Sequence, residues 1–120
     1  MDATFIETLL FTRRIVALGL EESLKELQAR LLESPDLGDI DPGSGGLRKV
    51  RMPDPARGKG TRSGARVHYL LVPHIALIYL VFVYTKGEDD TLTRQQKKAL
   101  ASGVRQIKQE YRKGQPGEGE

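Results

Sequence analysis

Cysteine is absent from the 120 residues and histidine occurs only twice. The chain therefore has no disulfide framework and no thiolate metal site, a histidine-based metal cluster is not expected, and a reducing compartment such as the cytosol suits it. Long hydrophobic runs are also missing. The longest, Ile75 to Tyr84, is about half of what a membrane-spanning helix needs. The amino-terminal MDATFIETLL has neither a basic n-region nor a small-residue cleavage site, so it does not read as a signal peptide. A nucleotide-binding P-loop is excluded as well: no Gly-Lys-Ser/Thr follows the glycines of residues 36–46, and GKGT at 58–61 lacks the upstream glycine. What remains is a soluble, cytoplasmic protein with one core. It is expected to form one domain over residues 1–112, with a disordered tail over 113–120 that has nothing to bury.

Acidic residues are scarce in one place. The net charge is only +3, yet residues 45–69, GGLRKVRMPDPARGKGTRSGARVHY, carry seven bases against one acid. Residues 1–44 are acidic by contrast, with four bases and nine acids. A concentrated positive block attracts phosphates; a solubilising loop fits the same charge.

Periodicity gives the elements. TFIE at residues 4–7 reads as a short strand. Phe11, Ile15 and Leu18 recur at helical spacing up to Gly19, a natural helix stop. Leu24, Leu27 and Leu31 mark a second helix, opened by Glu21 and Glu22 where the helix dipole favours acids and closed at Ser34, before a proline. Residues 36–46 are turn formers and read as a loop. Strands are predicted at 47–52, 65–72 and 75–85, with Pro73 and His74 turning between the last two. The final strand has apolar residues on both faces and should be central. Thr93 followed by Gln96 is a capping box, and Leu100, Val104, Ile107 and Tyr111 form the apolar stripe of a last helix. The expected fold is α+β, in the order β-α-α-β-β-β-α, with a mostly antiparallel sheet packed against helices and a parallel pairing open to the first strand.

Strand alternation sorts the basic residues. Lys49 and Arg51 share one face of their strand, while Arg48 shares the other with Val50 and Met52. Arg66 shares a face with His68, and Tyr84 with Lys86. Were these strands neighbours, Lys49, Arg51, Arg66 and Lys86 would converge on one anion, rimmed by the loop residues Arg57, Lys59 and Arg62. Each base alone fits a solvating or edge-protecting role better than a catalytic one. His68 reads as a partly buried strand residue, His74 as an exposed turn residue, Tyr69 and Tyr79 as sheet aromatics, and Glu88, Asp89 and Asp90 as a solvated loop.

Taken together, GGLRKVR, the basic loop with RGKG, GARVHYLLV, IYLVFVYTKGEDD and LTRQQKKAL resemble the RelE superfamily of bacterial toxins, in its HigB-like branch. The resemblance runs from Phe5 to Tyr111. It implies the toxin of a type II toxin-antitoxin module: a ribosome-dependent endoribonuclease that cuts mRNA in the ribosomal A site and inhibits translation. A cognate antitoxin, expected to be a helix-turn-helix protein, would silence it. The family's paired basic residues fall on Lys49 and Arg51, its third-strand arginine on Arg66 and its fourth-strand basic residue on Lys86, which makes these four the candidate catalytic residues. Arg48, Arg57, Lys59, Arg62 and Tyr84 are the candidate contacts to RNA or ribosome. Some relatives have a further arginine and a tyrosine where this chain has Gly87 and three acids. A tyrosine base is not expected here.

Cleavage by the 2′-hydroxyl needs a proton acceptor, stabilisation of charge on the phosphoryl oxygens, and a proton for the leaving 5′-oxygen. Arg51 and Arg66 suit the second task, because guanidinium stays charged and offers phosphate a planar fork. Lys49 or Lys86 suits proton transfer, since neighbouring cations lower a lysine's pKa. Neither metal nor cofactor is expected. Two other readings share the architecture: a ParE-like toxin that poisons gyrase without nuclease chemistry, and a non-catalytic RNA- or ribosome-binding module.

Overall fold

The computed structural model describes residues 2–55, 64–85 and 93–113, with side chains to residue 110. In chain order the elements are β1 (Thr4–Glu7), α1 (Leu9–Leu18), α2 (Glu21–Glu33), β2 (Asp39–Ile40), β3 (Arg48–Met52), β4 (Ala65–Val72), β5 (Leu77–Thr85) and α3 (Arg94–Lys113). The five strands form one sheet in the order β1-β5-β4-β3-β2. β1 runs parallel to β5, and every other pairing is antiparallel. The architecture is α+β, and β5 is an interior strand, as its two-faced apolar pattern predicts.

The helix ends follow local chemistry. Thr8 caps α1, its hydroxyl oxygen accepting from the Phe11 N–H at 3.0 Å while its O–H donates to the Val81 carbonyl at 2.8 Å. One side chain thereby satisfies a helix terminus and ties it to β5. Gly19 stops α1 in a left-handed conformation, φ 66°, which a side chain would oppose. The capping box of α3 forms reciprocally: Thr93 N–H donates to Gln96 Oε1 at 2.8 Å and Gln96 N–H to Thr93 Oγ1 at 3.1 Å.

Helices cover both sheet faces. Phe11, Ile15, Leu20, Leu24, Leu27 and Leu31 of the α1–α2 layer pack on Val50, Met52, Val67, Tyr69, Ile78, Leu80 and Val83. On the other face Val104, Leu100 and Ile107 of α3 pack on Leu47, Leu70, Val72, Leu77 and Tyr79. Between these layers the register of β4 on β5 jumps from His68 opposite Phe82 to Tyr69 opposite Leu80, a bulge that leaves Val81 over. Because of it Val83 joins Leu80 in the first core, and Phe82 and Tyr84 turn to the α3 face.

The loop read at 36–46 contains a strand that the sequence does not announce. β2 is two residues long, pairing Asp39 with Lys49 and Ile40 with Arg48; two residues among turn formers are too few to show alternation. The segment before it is fastened to the sheet. Tyr69, fully buried, donates its hydroxyl to the Pro35 carbonyl at 2.8 Å and accepts from Gly38 N–H at 3.0 Å. A Cβ at Gly38 would come within 2.8 Å of the Lys49 carbonyl oxygen, so only glycine lets β2 approach β3 here. Among the described residues no helix is long and apolar enough to cross a membrane.

Phe11 is fully buried under the sheet and Val16, on the outer side of the same helix, is 62% exposed. Phe11→Ala should lower the free energy of unfolding by about 3–5 kcal/mol and Val16→Ala should stay within about 0.5 kcal/mol of wild type, as read by urea denaturation.

Candidate functional site

Two cross-strand rows define the site. Arg51 lies opposite Arg66, and Arg66 opposite Tyr84; in the next row Lys49 lies opposite His68, and His68 opposite Phe82. Residues in register share a sheet face, so Lys49, Arg51 and Arg66 stand together on the side where α3 packs. Lys49 and Arg51 are exposed and Arg66 is half-buried. They line a cleft of about 340 Å³ with Asp39, Ile40, Asp41, Pro42 and Val50. The Arg66 guanidinium turns back on the start of its own strand, the terminal Nη1 donating to the Gly64 carbonyl at 3.0 Å.

One wall of the cleft is wired to the interior. Asp41 is 7% exposed and His68 is fully buried. His68 Nε2 lies 3.1 Å from Asp41 Oδ2, and Lys97 of α3 donates from Nζ to Asp41 Oδ1 at 3.2 Å and to the Pro42 carbonyl at 3.1 Å. Both carboxylate oxygens are thus engaged. The turn beyond closes on itself: Asp41 N–H donates to the Leu47 carbonyl, and the Ser44 hydroxyl donates to the Asp41 carbonyl at 2.6 Å.

The titration of this pair follows from its surroundings. Burial by itself would raise the Asp41 carboxyl, but the hydrogen bonds from His68 and Lys97 outweigh it and hold the group below the usual aspartate value. Burial pulls His68 below its ordinary value, the Asp41 hydrogen bond opposes this, and the charges of Lys49 and Lys97 add to the depression. His68 is therefore neutral and donates from Nε2 to an ionised Asp41. That tautomer leaves Nδ1 as a buried acceptor, and among the described residues it has no hydrogen-bond partner. The ring stacks on Tyr84, centroids 5.9 Å apart, and Tyr84 lies 5.8 Å from Phe82.

Of the residues singled out by sequence, the structure brings Lys49, Arg51 and Arg66 into one cleft. It separates two others from them. Arg48 projects on the opposite face, as strand alternation demands, and donates from Nη1 to the Gly38 carbonyl at 2.7 Å, so it stands outside the cleft. Tyr84 is on the expected face but only 2% exposed, so its ring belongs to the aromatic row and offers no stacking platform. Lys86, Arg57, Lys59 and Arg62 lie outside the described residues. His74 is exposed in its turn, and Tyr69 is a core aromatic. Sequence reasoning missed Asp39, Asp41 and Lys97. Asp39 and Asp41 alternate as strand neighbours do, but inside a stretch of turn formers. Lys97 gave no signal among the other bases of its helix.

Among the described residues no three acidic or histidine side chains gather as a metal ion would need. No family model matches the chain.

His68 has a measurable consequence. The unfolded chain protonates this imidazole near 6.5, whereas the folded protein resists, so its contribution to stability is present above that pH and is lost as pH falls below it. Urea denaturation at pH 7.5 and 5.5 should show wild type losing stability on acidification, by at most about 1.4 kcal/mol per pH unit for one proton. His68→Leu should lose less.

Proposed function

We propose that this chain is a ribosome-dependent mRNA endonuclease of the RelE superfamily, HigB-like branch, acting in the cytoplasm as the toxin of a type II module and silenced by a cognate antitoxin. One observation carries the reading: Lys49, Arg51 and Arg66, the described members of the basic set that the resemblance marks as catalytic, line a single cleft from two neighbouring strands. The parallel β1–β5 pairing within an otherwise antiparallel sheet is compatible with the fold that the resemblance implies.

The cleft has the parts that cleavage by a 2′-hydroxyl requires. Arg51 and Arg66 grip the non-bridging oxygens of the scissile phosphate, where negative charge grows in the transition state. Asp39 is exposed and its side chain, unlike that of Asp41, makes no hydrogen bond or ion pair among the described residues; its carboxylate takes the proton from the 2′-oxygen as that atom bonds to phosphorus. The Lys49 ammonium, on the strand residue opposite Asp39, gives a proton to the departing 5′-oxygen. The products are a 2′,3′-cyclic phosphate and a 5′-hydroxyl, and solvent restores both side chains. A carboxylate is a weak base for a hydroxyl, so the ribosome's alignment of the RNA supplies a large part of the acceleration.

Pulsed expression followed by 5′-end mapping should show cuts within translated codons. Intact mRNA with arrested replication would overturn the reading in favour of a gyrase-directed toxin. On programmed ribosomes, Arg66→Ala should cut roughly 100-fold more slowly or worse. Asp39→Asn should lose roughly 100-fold in the single-turnover rate while ribosome affinity is kept.

A further inference from the structure

The first turn of α3 contains no acidic residue and holds Arg94 and Lys97, with Lys98 immediately after. That is the wrong sign for helix stability, because the amino-terminal end of the helix dipole is positive. α2 shows the ordinary arrangement, with Glu21 and Glu22 in its first turn. Over residues 94–113 the helix carries seven bases and one acid, Glu110. Arg94, Lys98 and Arg105 are exposed and fall at i, i+4 and i+11 on one stripe. None of the three has an ion pair among the described residues.

These cations line a second cleft, of about 540 Å³, with Gly43, Lys97 and Ala101. It shares a wall with the sheet-face cleft. Asp41 and Pro42 border the first cleft and Gly43 the second, and Lys97 holds this turn through Asp41 and the Pro42 carbonyl. Like charges four residues apart on a helix repel, and among the described residues no acidic side chain pairs with them. An anion in the cleft would.

Resting on the reading of the sheet face as an RNA site, we propose that the α3 cleft binds further phosphate groups of the same single-stranded RNA, where the strand leaves the Arg51–Arg66 cleft and crosses the Asp41–Gly43 turn. The cations form a stripe along the helix, suited to successive phosphates, and the stripe continues a basic surface already facing RNA. Lys97, committed to Asp41, serves as the post between the two clefts.

The test is the salt dependence of binding to a short fluorescent 2′-O-methyl RNA, which cannot be cleaved. In the variant Arg94→Gln/Lys98→Gln/Arg105→Gln, affinity at low salt should fall at least about tenfold. The slope of log K against log salt should shrink by about 2, since each single-strand phosphate contact contributes about 0.7. Lys98→Gln and Arg105→Gln alone should each remove about 0.7 of that slope, a reading that does not depend on the triple variant folding. An unchanged slope overturns the proposal. So does a polyglutamate competitor that displaces the RNA as well as unlabelled RNA of equal charge, which would make the cleft a site for an acidic protein. If wild type fails to cut translated mRNA while the slopes fall as stated, the nuclease reading is lost and this site stands. If wild type cuts and the slopes do not move, only the α3 site is lost.

Discussion

The register of β3 on β4 is the constraint on which the rest depends. It sets Val50 and Met52 into the core under α1 and α2, and by the same alternation sets Lys49 and Arg51 beside Arg66 on the opposite face. A slip of one residue would exchange the two sets, pushing two cations into the apolar layer. Hydrophobic burial therefore fixes the position of the basic residues. The site needs no separate device to hold its cations, because the core that folds the sheet also aims them.

Asp41 connects that face to α3. A carboxylate taken almost wholly out of water is costly, and the cost is met here by donors on both oxygens, one from His68 beneath and one from Lys97 above. The same contacts place the amino-terminal part of α3 against the turn that walls the cleft. Lys108, three turns further on, donates to the Gly45 carbonyl at 3.2 Å, so the helix is pinned to the 41–46 segment at two points. The other ring nitrogen of His68 has no hydrogen-bond partner among the described residues. Loss of either of its neighbours would be felt by both the sheet and the helix.

The elements were legible because each has a local cause: Gly19 as a stop, Ser34 before Pro35, the Thr93–Gln96 box, and the two-faced apolar run of β5. The sharing of a face by Lys49 and Arg51 was legible for the same reason, being a matter of period two within one strand. Other features depend on pairings between distant segments. β2 exists only because β3 offers it an edge, and the bulge at Val81 shows nowhere in the order of residues. Asp41, His68 and Lys97 are separated by 27 and 56 positions from first to second and first to third, and no periodicity links them. Tyr84 shows the limit of face assignment: alternation gave its side of the sheet and could not give its burial.

The claim at the centre of this account is that the guanidinium groups of Arg51 and Arg66 on the sheet face meet the RNA, and it can be read at the atoms concerned. Side-chain Nε–Hε resonances can be followed by NMR while a non-cleavable 2′-O-methyl RNA is added. Arg51 and Arg66 should shift together and saturably, whereas Arg14, whose Nε is bound to the Val83 carbonyl at 2.7 Å, and Arg48, on the far face, should stay in place. Shifts at Arg48 or Arg14 with Arg51 and Arg66 unmoved would contradict the account.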